Sequence, residues 1–414
     1  MRKEKYMKRK YIAALLALFL LGNTMGIGAE VNHIDTPTKG SYVKPPQATL
    51  FPVQVLQKTG NDAKRNVWLF LGDGYTASQQ EKFIHDVTER VQKMLQMEPY
   101  KSYVDGMNIY AIRTPSKENG AGRDANKDGT GGIMKDTFYQ VRYNSFGLER
   151  LAWFNGKGEE RLNLLKQDLE DHYLDPVGKV IQTIILSNSD TYFGGGAAFD
   201  AVSSLAAGEA MVIHEASHGF ANLADEYNGH PEESPNKTKQ TKLSKVPWKE
   251  FLGFRGVTLY KYGEGAQKPV AGDCIMNSLY QQHGYCEVCK EHVAEVLNRQ
   301  LKNEQHHYYM AEPSLTWKET DPLVNGKTVT SENIEEANGK QLVYRTVVKN
   351  FTKKTQTYIL HLKISGKEGP VKYENTERFH VKPGKLQSLG LVTPVLQELE
   401  KGDTLEMSAA LESD

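Results

Sequence analysis

Between Ala206 and Leu223 a helix-forming stretch carries His214-Glu215-Ala216-Ser217-His218. In a helix, residues four apart share one face, so the two imidazoles can bind a single metal ion. Neutral imidazole is a good zinc ligand, and Glu215 beside them is placed to take a proton from water that the metal acidifies towards a pKa of ~7. This is the arrangement of a zinc hydrolase. A catalytic zinc wants a third protein ligand and an open position, and Asn222-Leu223-Ala224-Asp225-Glu226-Tyr227 offers two acids. Were the helix to continue, Asp225 would stand about 10 Å beyond His218 at ~1.5 Å per residue, out of reach of a shared ion. The helix must therefore stop and the chain double back, and Asn222 is the residue there best able to adopt the left-handed conformation that ends helices. Asp225 is the expected third ligand, with Glu226 next and Glu232, Glu233 or Glu250 behind them. Tyr227, Tyr280 and Tyr285 are alternative hydrogen-bond donors to an oxyanion.

The pattern resembles the metzincins, with differences. Their extended motif has Gly three residues after the second His and a further ligand three residues beyond; neither is matched here, and the acid comes one residue later, at Asp225. Downstream, Cys274-Ile275-Met276-Asn277 stands where metzincins place the turn whose methionine packs under the zinc ligands, a role for which polarizable, adaptable Met276 is suited. Leu71-Gly72-Asp73-Gly74-Tyr75-Thr76, the His214 to His218 motif with Leu223 to Tyr227, and Cys274 to Met276 with Tyr285-Cys286-Glu287-Val288-Cys289 follow one another in an order that resembles the secreted, metzincin-like zinc metallopeptidases of the IgA-peptidase family. Two departures are visible: Ser217 stands where the family usually has Gly, and Glu287 where it usually has Pro. The resemblance implies an endopeptidase with one catalytic zinc held by His214, His218 and Asp225, and with Glu215 as general base. It also implies a protein or peptide substrate, but not that this substrate is immunoglobulin.

Three cysteines, Cys274, Cys286 and Cys289, lie close together, and an odd count leaves one thiol over. A disulfide from Cys274 to Cys286 or Cys289 would fasten the methionine turn to the next helix; a structural zinc using Cys286, Cys289 and His283 or His292 is the alternative. Asp124, Asn126 and Asp128 have the spacing of a calcium loop, but Lys135 occupies the twelfth position where an EF-hand needs a bidentate Glu. The choice there is a non-EF calcium site or a polar turn. The polar segment from Asn228 to Pro247 is a long loop just after the ligands, placed to shape access.

The elements that must position these residues read as an α/β domain followed by a β domain. Val67 to Leu71 and Val180 to Leu186 are continuous apolar runs expected as buried strands. Thr76 and Gln79 form a capping-box signature ahead of an amphipathic helix through Phe83, Val87 and Val91. Met107 to Arg113 alternates as a strand, Leu162, Leu165 and Leu169 mark another helix, and Gly194-Gly195-Gly196 reads as turned or flexible backbone. With Val180 to Leu186, that glycine turn is expected to form the cleft edge and bind substrate as an added strand. After Pro313 short β-rich runs punctuated by Gly and Pro indicate a small all-β, Ig-like sandwich. Together with the resemblance, which implies the metallopeptidase fold, the expected fold class is an α/β metzincin-like zinc metallopeptidase domain over 47–312 followed by that sandwich over 313–414.

Residues 1–29 join a basic start to an apolar run, Tyr11 to Leu21, too short to span a bilayer comfortably, then small residues up to Ala29: a secretory signal. A polar, proline-rich linker, 30–46, follows. The expected product is secreted or cell-surface associated, without stable membrane insertion after cleavage. With 51 basic and 51 acidic residues, the chain lacks the basic excess that displaces counterions from nucleic acid, so nucleic-acid partners are not expected. The competing readings are a catalytically decayed surface binding module and a zinc amidase or deacetylase.

Overall fold

The apolar run at Val67 becomes the centre of a six-stranded sheet in the computed structural model, which describes residues 49–154, 156–280, 284–301, 306–367 and 369–412. The expected signal and linker segments, residues 1–46, lie outside the described residues. β1 (Val53–Gln57) precedes β2 (Asn66–Asp73), which is buried along its whole length; a strand covered on both faces carries an unbroken apolar run instead of an alternating one. The Thr76 amide then donates to Gln79 Oε1 at 3.1 Å, opening α1 (Gln80–Met94), whose Phe83, Val87, Val91 and Met94 join Trp68 and Phe70 in the main core. β3 (Met107–Ile112) lies parallel to β2.

Three two-residue strands follow, β4 (Gly122–Arg123), β5 (Arg142–Tyr143) and β6 (Ala152–Trp153), and then α2 (Gly156–His172). β7 (Val180–Ser187), β8 (Gly194–Ala197) and β9 (Asp200–Ser203) complete the large sheet in the order β1-β3-β2-β7-β9-β8. Its inner strands run parallel, while β1 and β8 close the two ends antiparallel. α1 and α3 (Gly208–Ala221) build one buried cluster against the sheet, and α2 builds a second from Leu162, Leu165 and Leu169 with Leu69, Leu71 and Ile185.

Gly194-Gly195-Gly196 is therefore a strand, not the turn its composition suggests. A Cβ on Gly196 would lie 2.9 Å from the Glu215 carbonyl carbon, and one on Gly195 3.3 Å from that of Ala152. These glycines allow close backbone approach on both sides of β8, which is what Gly inside a strand often marks. β7, expected at the cleft edge, lies between β2 and β9, so its backbone is already paired; the terminal strand is β8.

A hairpin of β10 (Tyr260–Tyr262) and β11 (Ala266–Lys268) leads to α4 (Glu287–Gln300), whose buried face joins the main core. The C-terminal part is β-rich. β12 (Tyr308–Met310), β13 (Ser314–Trp317) and β17 (Leu386–Val392) all pair with β14 (Leu342–Asn350). β15 (Gln356–Ser365) pairs with β16 (Val371–Val381) and β18 (Thr404–Leu411). Alternate residues of the two sheets, Leu342, Tyr344, Leu389 and Leu391 with Tyr358, Leu360, Leu362 and Ile364, share one core, as sheets stacked face to face do. This sheet pair starts at Tyr308, a few residues ahead of the boundary expected at 313.

The β-rich part is docked on the rest by Arg345, whose guanidinium donates to the Glu250 and Leu252 carbonyls at 2.6 and 2.9 Å. Pro46–Asp414 forms one compact unit. Among the described residues no helix is long and apolar enough to cross a membrane.

Candidate active site and metal centre

α3 ends where the ligand argument requires. Asn222 is left-handed at φ 52° and ψ 35°, and its N–H returns to the Ser217 carbonyl. Doubling back after it, the chain brings Asp225 Oδ1 to 3.2 Å from His214 Nε2 and 3.3 Å from His218 Nε2. Asp225 Oδ1 is nonetheless a buried oxygen with no aligned hydrogen bond. The other nitrogen of each ring is occupied, His214 Nδ1 by the Ile275 carbonyl at 2.9 Å and His218 Nδ1 by the Leu223 carbonyl at 2.8 Å. A carbonyl can only accept, so each Nδ1 carries a hydrogen, and each Nε2 of the neutral ring is left with a lone pair for a metal. The three ligand atoms converge on a common point rather than on one another, which fits a three-residue metal centre.

Charge couples the same three groups. Burial works against a charge on His218, but Asp225 outweighs it and lifts the pKa to about 9. Burial also opposes ionisation of Asp225, yet the two imidazoles hold its carboxyl far below the usual carboxylate range. Glu215 is buried on the same helix with Oε2 3.9 Å from His218 Nε2, too far for a hydrogen bond. Burial raises its pKa, the neighbouring histidines pulling the other way; a raised carboxyl pKa suits a group that must take up and release a proton near neutrality.

Glu226 faces elsewhere. Its amide donates to the Met276 carbonyl at 2.9 Å, and its carboxylate accepts from Asn236 Nδ2 at 2.9 Å and lies 3.6 Å from Cys289 Sγ. Glu232 pairs with Lys237, Glu233 accepts from Thr238, and Glu250 accepts from the Ser388 amide; none belongs to the histidine cluster.

Met276 is fully buried in the main core. What reaches the ligands from that segment is main chain, the Ile275 carbonyl on His214, and no pattern of side-chain types announces a carbonyl. Tyr285, one of the three tyrosines, is buried behind α3, its hydroxyl bonded to Ser217 and, at 3.2 Å, to Tyr100. Tyr227 stacks on the His214 ring with centroids 6.2 Å apart and stays 62% exposed. Tyr280 is exposed. Sequence reasoning missed Tyr192, which is half-buried: burial raises its pKa, with Tyr280 and Glu215 adding to the shift. Its one sequence signal was its place just ahead of the glycine strand.

Both departures from the family pattern have a local account. Ser217 Oγ donates to the Ile213 carbonyl at 2.6 Å as well as meeting Tyr285. Glu287 is the first residue of α4 after the N-cap Cys286, a position that suits Pro sterically and an acid electrostatically; Arg255 and Lys290 pair with it. The three cysteines are buried and unbridged. In the segment with calcium-loop spacing, Asp124 pairs with Arg142, Asn126 Oδ1 accepts from Arg123, and Asp128 accepts from Thr130, so its oxygens already hold protein donors, as in a polar turn.

Residues 54–253 match the family model described as IgA Peptidase M64. The match takes in His214, Glu215, His218 and Asp225 and stops short of Met276 and the cysteines. No curated protein matches the chain. Among solved structures, wild type OgpA from Akkermansia muciniphila is similar at 10% identity over 85% of this chain and 93% of that one, with a TM-score of 0.28. Catalytically inactive OgpA from the same organism, in complex with an O-glycopeptide substrate, is similar at 11% identity over 85% and 95%, with a TM-score of 0.25. Superposition this loose carries no argument about substrate.

Proposed function

From the chain's membership of the IgA peptidase M64 family, and hence its being a peptide-bond hydrolase, we propose that it is an exported zinc endopeptidase with His214, His218 and Asp225 as ligands and Glu215 as general base. The observation that carries this reading is the convergence of three ligand atoms, two with their opposite ring nitrogens tied to carbonyls and one a buried oxygen without a hydrogen bond. Zinc held there supplies Lewis acidity, polarising the scissile carbonyl and acidifying water.

Glu215 takes the proton of the attacking water and hands it to the departing amine, serving as base and then as acid. Tyr227, resting on His214 and open to solvent, is assigned the hydrogen bond to the developing oxyanion. An extended peptide pairs with what remains free of the β8 edge, Gly196–Ala197, since Gly194 is already bridged by Leu151. Export rests on the basic and apolar pattern of residues 1–29, and the β-rich C-terminal part, read as an Ig-like sandwich, docks the substrate or a cell-surface partner.

The test is cleavage of labelled casein and of immunoglobulin by the purified chain, with and without chelator and with zinc restored. Asp225→Ala is expected to lower zinc content by one ion per chain and to lose activity with it. Metal affinity should fall more than about a hundredfold, because even partners behind the ligands are worth 10–100-fold. Full activity in Asp225→Ala would remove the reading. Zinc-loaded enzyme that cuts neither protein but hydrolyses a small amide or an acetylated sugar would turn it into an amidase or deacetylase, and zinc-loaded enzyme inert on all of them into a binding module.

A further inference from the structure

On the far side of the ligand loop lies a second cluster that the peptidase chemistry does not use. Cys274, Cys286, Cys289 and Glu226 are all buried, Glu226, Cys274 and Cys289 completely, and their ligand atoms lie within 4.8 Å of one another. Cys274 and Cys289 bring their sulfurs to 3.7 Å, and Cys289 Sγ is 3.6 Å from Glu226 Oε1. Glu226 Oε2 is buried with no hydrogen-bond partner. A carboxylate oxygen left so in a protein interior is costly unless something positive meets it.

We propose that Cys274, Cys286, Cys289 and Glu226 hold a second, structural zinc ion. Three soft sulfurs and one carboxylate make a four-residue set of the kind structural zinc sites use, closed to substrate. A tetrahedral zinc with Zn–S bonds of about 2.3 Å sets its sulfurs about 3.8 Å apart, close to the separation of Cys274 and Cys289. Cys286 and Cys289 are the N-cap and third residue of α4, where the helix dipole favours thiolates. One of the two negative charges left in excess on such a site is offset by Lys268, buried beside it, whose ammonium donates to the Glu226 carbonyl at 3.1 Å and to Asn277. Each thiol that becomes a ligand gives its proton to solvent.

His292, the alternative partner raised by the spacing, belongs instead to a cluster with Glu291 and Glu295, and His283 lies outside the described residues. The proposed ion would brace the peptidase centre twice over. Glu226 directly follows the ligand Asp225, and Cys274 directly precedes Ile275, whose carbonyl orients His214.

The test uses the full exported chain, purified without added reductant, beside the His214→Ala/His218→Ala variant that empties the peptidase centre. Wild type should carry two zinc ions and the folded double variant one. A thiol-binding mercurial should release that remaining zinc as three thiols react, and Co(II) in its place should show thiolate-to-cobalt charge-transfer absorption. Cys289→Ser should lower its affinity at least about tenfold; because that change sits in the core and can unfold the chain, the histidine variant carries the decision. A folded double variant without zinc overturns the proposal. So does one titratable thiol, instead of three, in denaturant with chelator, the sign of a disulfide. Neither readout depends on peptidase activity, so this proposal and the peptidase reading fail separately.

Discussion

Gly194→Ala is the sharpest probe of the base role proposed for Glu215, because Gly194 faces Glu215 across the gap between β8 and α3. A Cβ there would come within 2.7 Å of Glu215 Cδ and closer still to Oε1. Ordinary carbon contacts begin near 3.5 Å, so the carboxyl group has to move by about 1 Å. The obstacle is the end of a side chain, so the move is cheap for the fold. It is expensive for chemistry, since a misplacement of about 1 Å can cost on the order of a hundredfold in rate. We therefore expect kcat/KM on a labelled casein peptide to fall about a hundredfold while zinc content and the urea midpoint stay near wild type. Glu215→Gln, which removes the base outright, sets the floor at two to four orders of magnitude, the usual worth of such help. Gly219→Ala supplies the contrast: its Cβ would sit inside the Ala198 carbonyl, main chain that cannot swing away, so stability should fail before catalysis does. Wild-type turnover in a folded, zinc-loaded Gly194→Ala would refute the placement of Glu215 as base. Loss of zinc from it would show that the strand supports the ligands instead.

Two further outcomes follow from the fold. Asp73 is fully buried, and burial raises its pKa to about 6 although the Tyr139 and Val141 amides donate to it. The folded state then binds a proton that the unfolded state has released, so this group's contribution is intact below about pH 4 and is lost as pH rises to about 6. At about 1.4 kcal/mol per pH unit that is on the order of 3 kcal/mol, read as wild type losing that much in urea melts relative to Asp73→Asn between pH 4 and 7; a pH-independent difference would contradict it. Arg345→Met removes two hydrogen bonds to main-chain carbonyls and one to Ser388. With charged hydrogen bonds worth about 1.5–3 kcal/mol where buried, and some of that recovered by water at this half-buried site, the variant should lose about 2 kcal/mol in urea melts while keeping its zinc; unchanged stability would mean that the β-rich part is held by its apolar contacts alone.

The residues proposed for catalysis were legible because their chemistry is local. Two histidines four apart on one helix, an acid between them and an Asn able to end the helix are all properties of a dozen consecutive residues, and 3.6-residue periodicity turns them into geometry without outside help. The central strands were legible for a similar reason, since burial on both faces leaves an unbroken apolar run. What the sequence could not decide is whatever depends on meeting a distant segment. The sequence ranks Asp225 ahead of Glu226 without showing where either carboxylate points; the Met276 carbonyl, some fifty residues on, holds the Glu226 amide, and the Glu226 carboxylate lies beside Cys289. The glycine run became a strand because Ala152 and Glu215 close in on it from either side, and glycine's tolerance of crowding looks in sequence the same as its tolerance of bending. The spacing of Cys286 and Cys289 hints at a metal but points to a histidine as partner; that Cys274 and Glu226 join them depends on the turn of the chain after Asn222 and on the packing of α4.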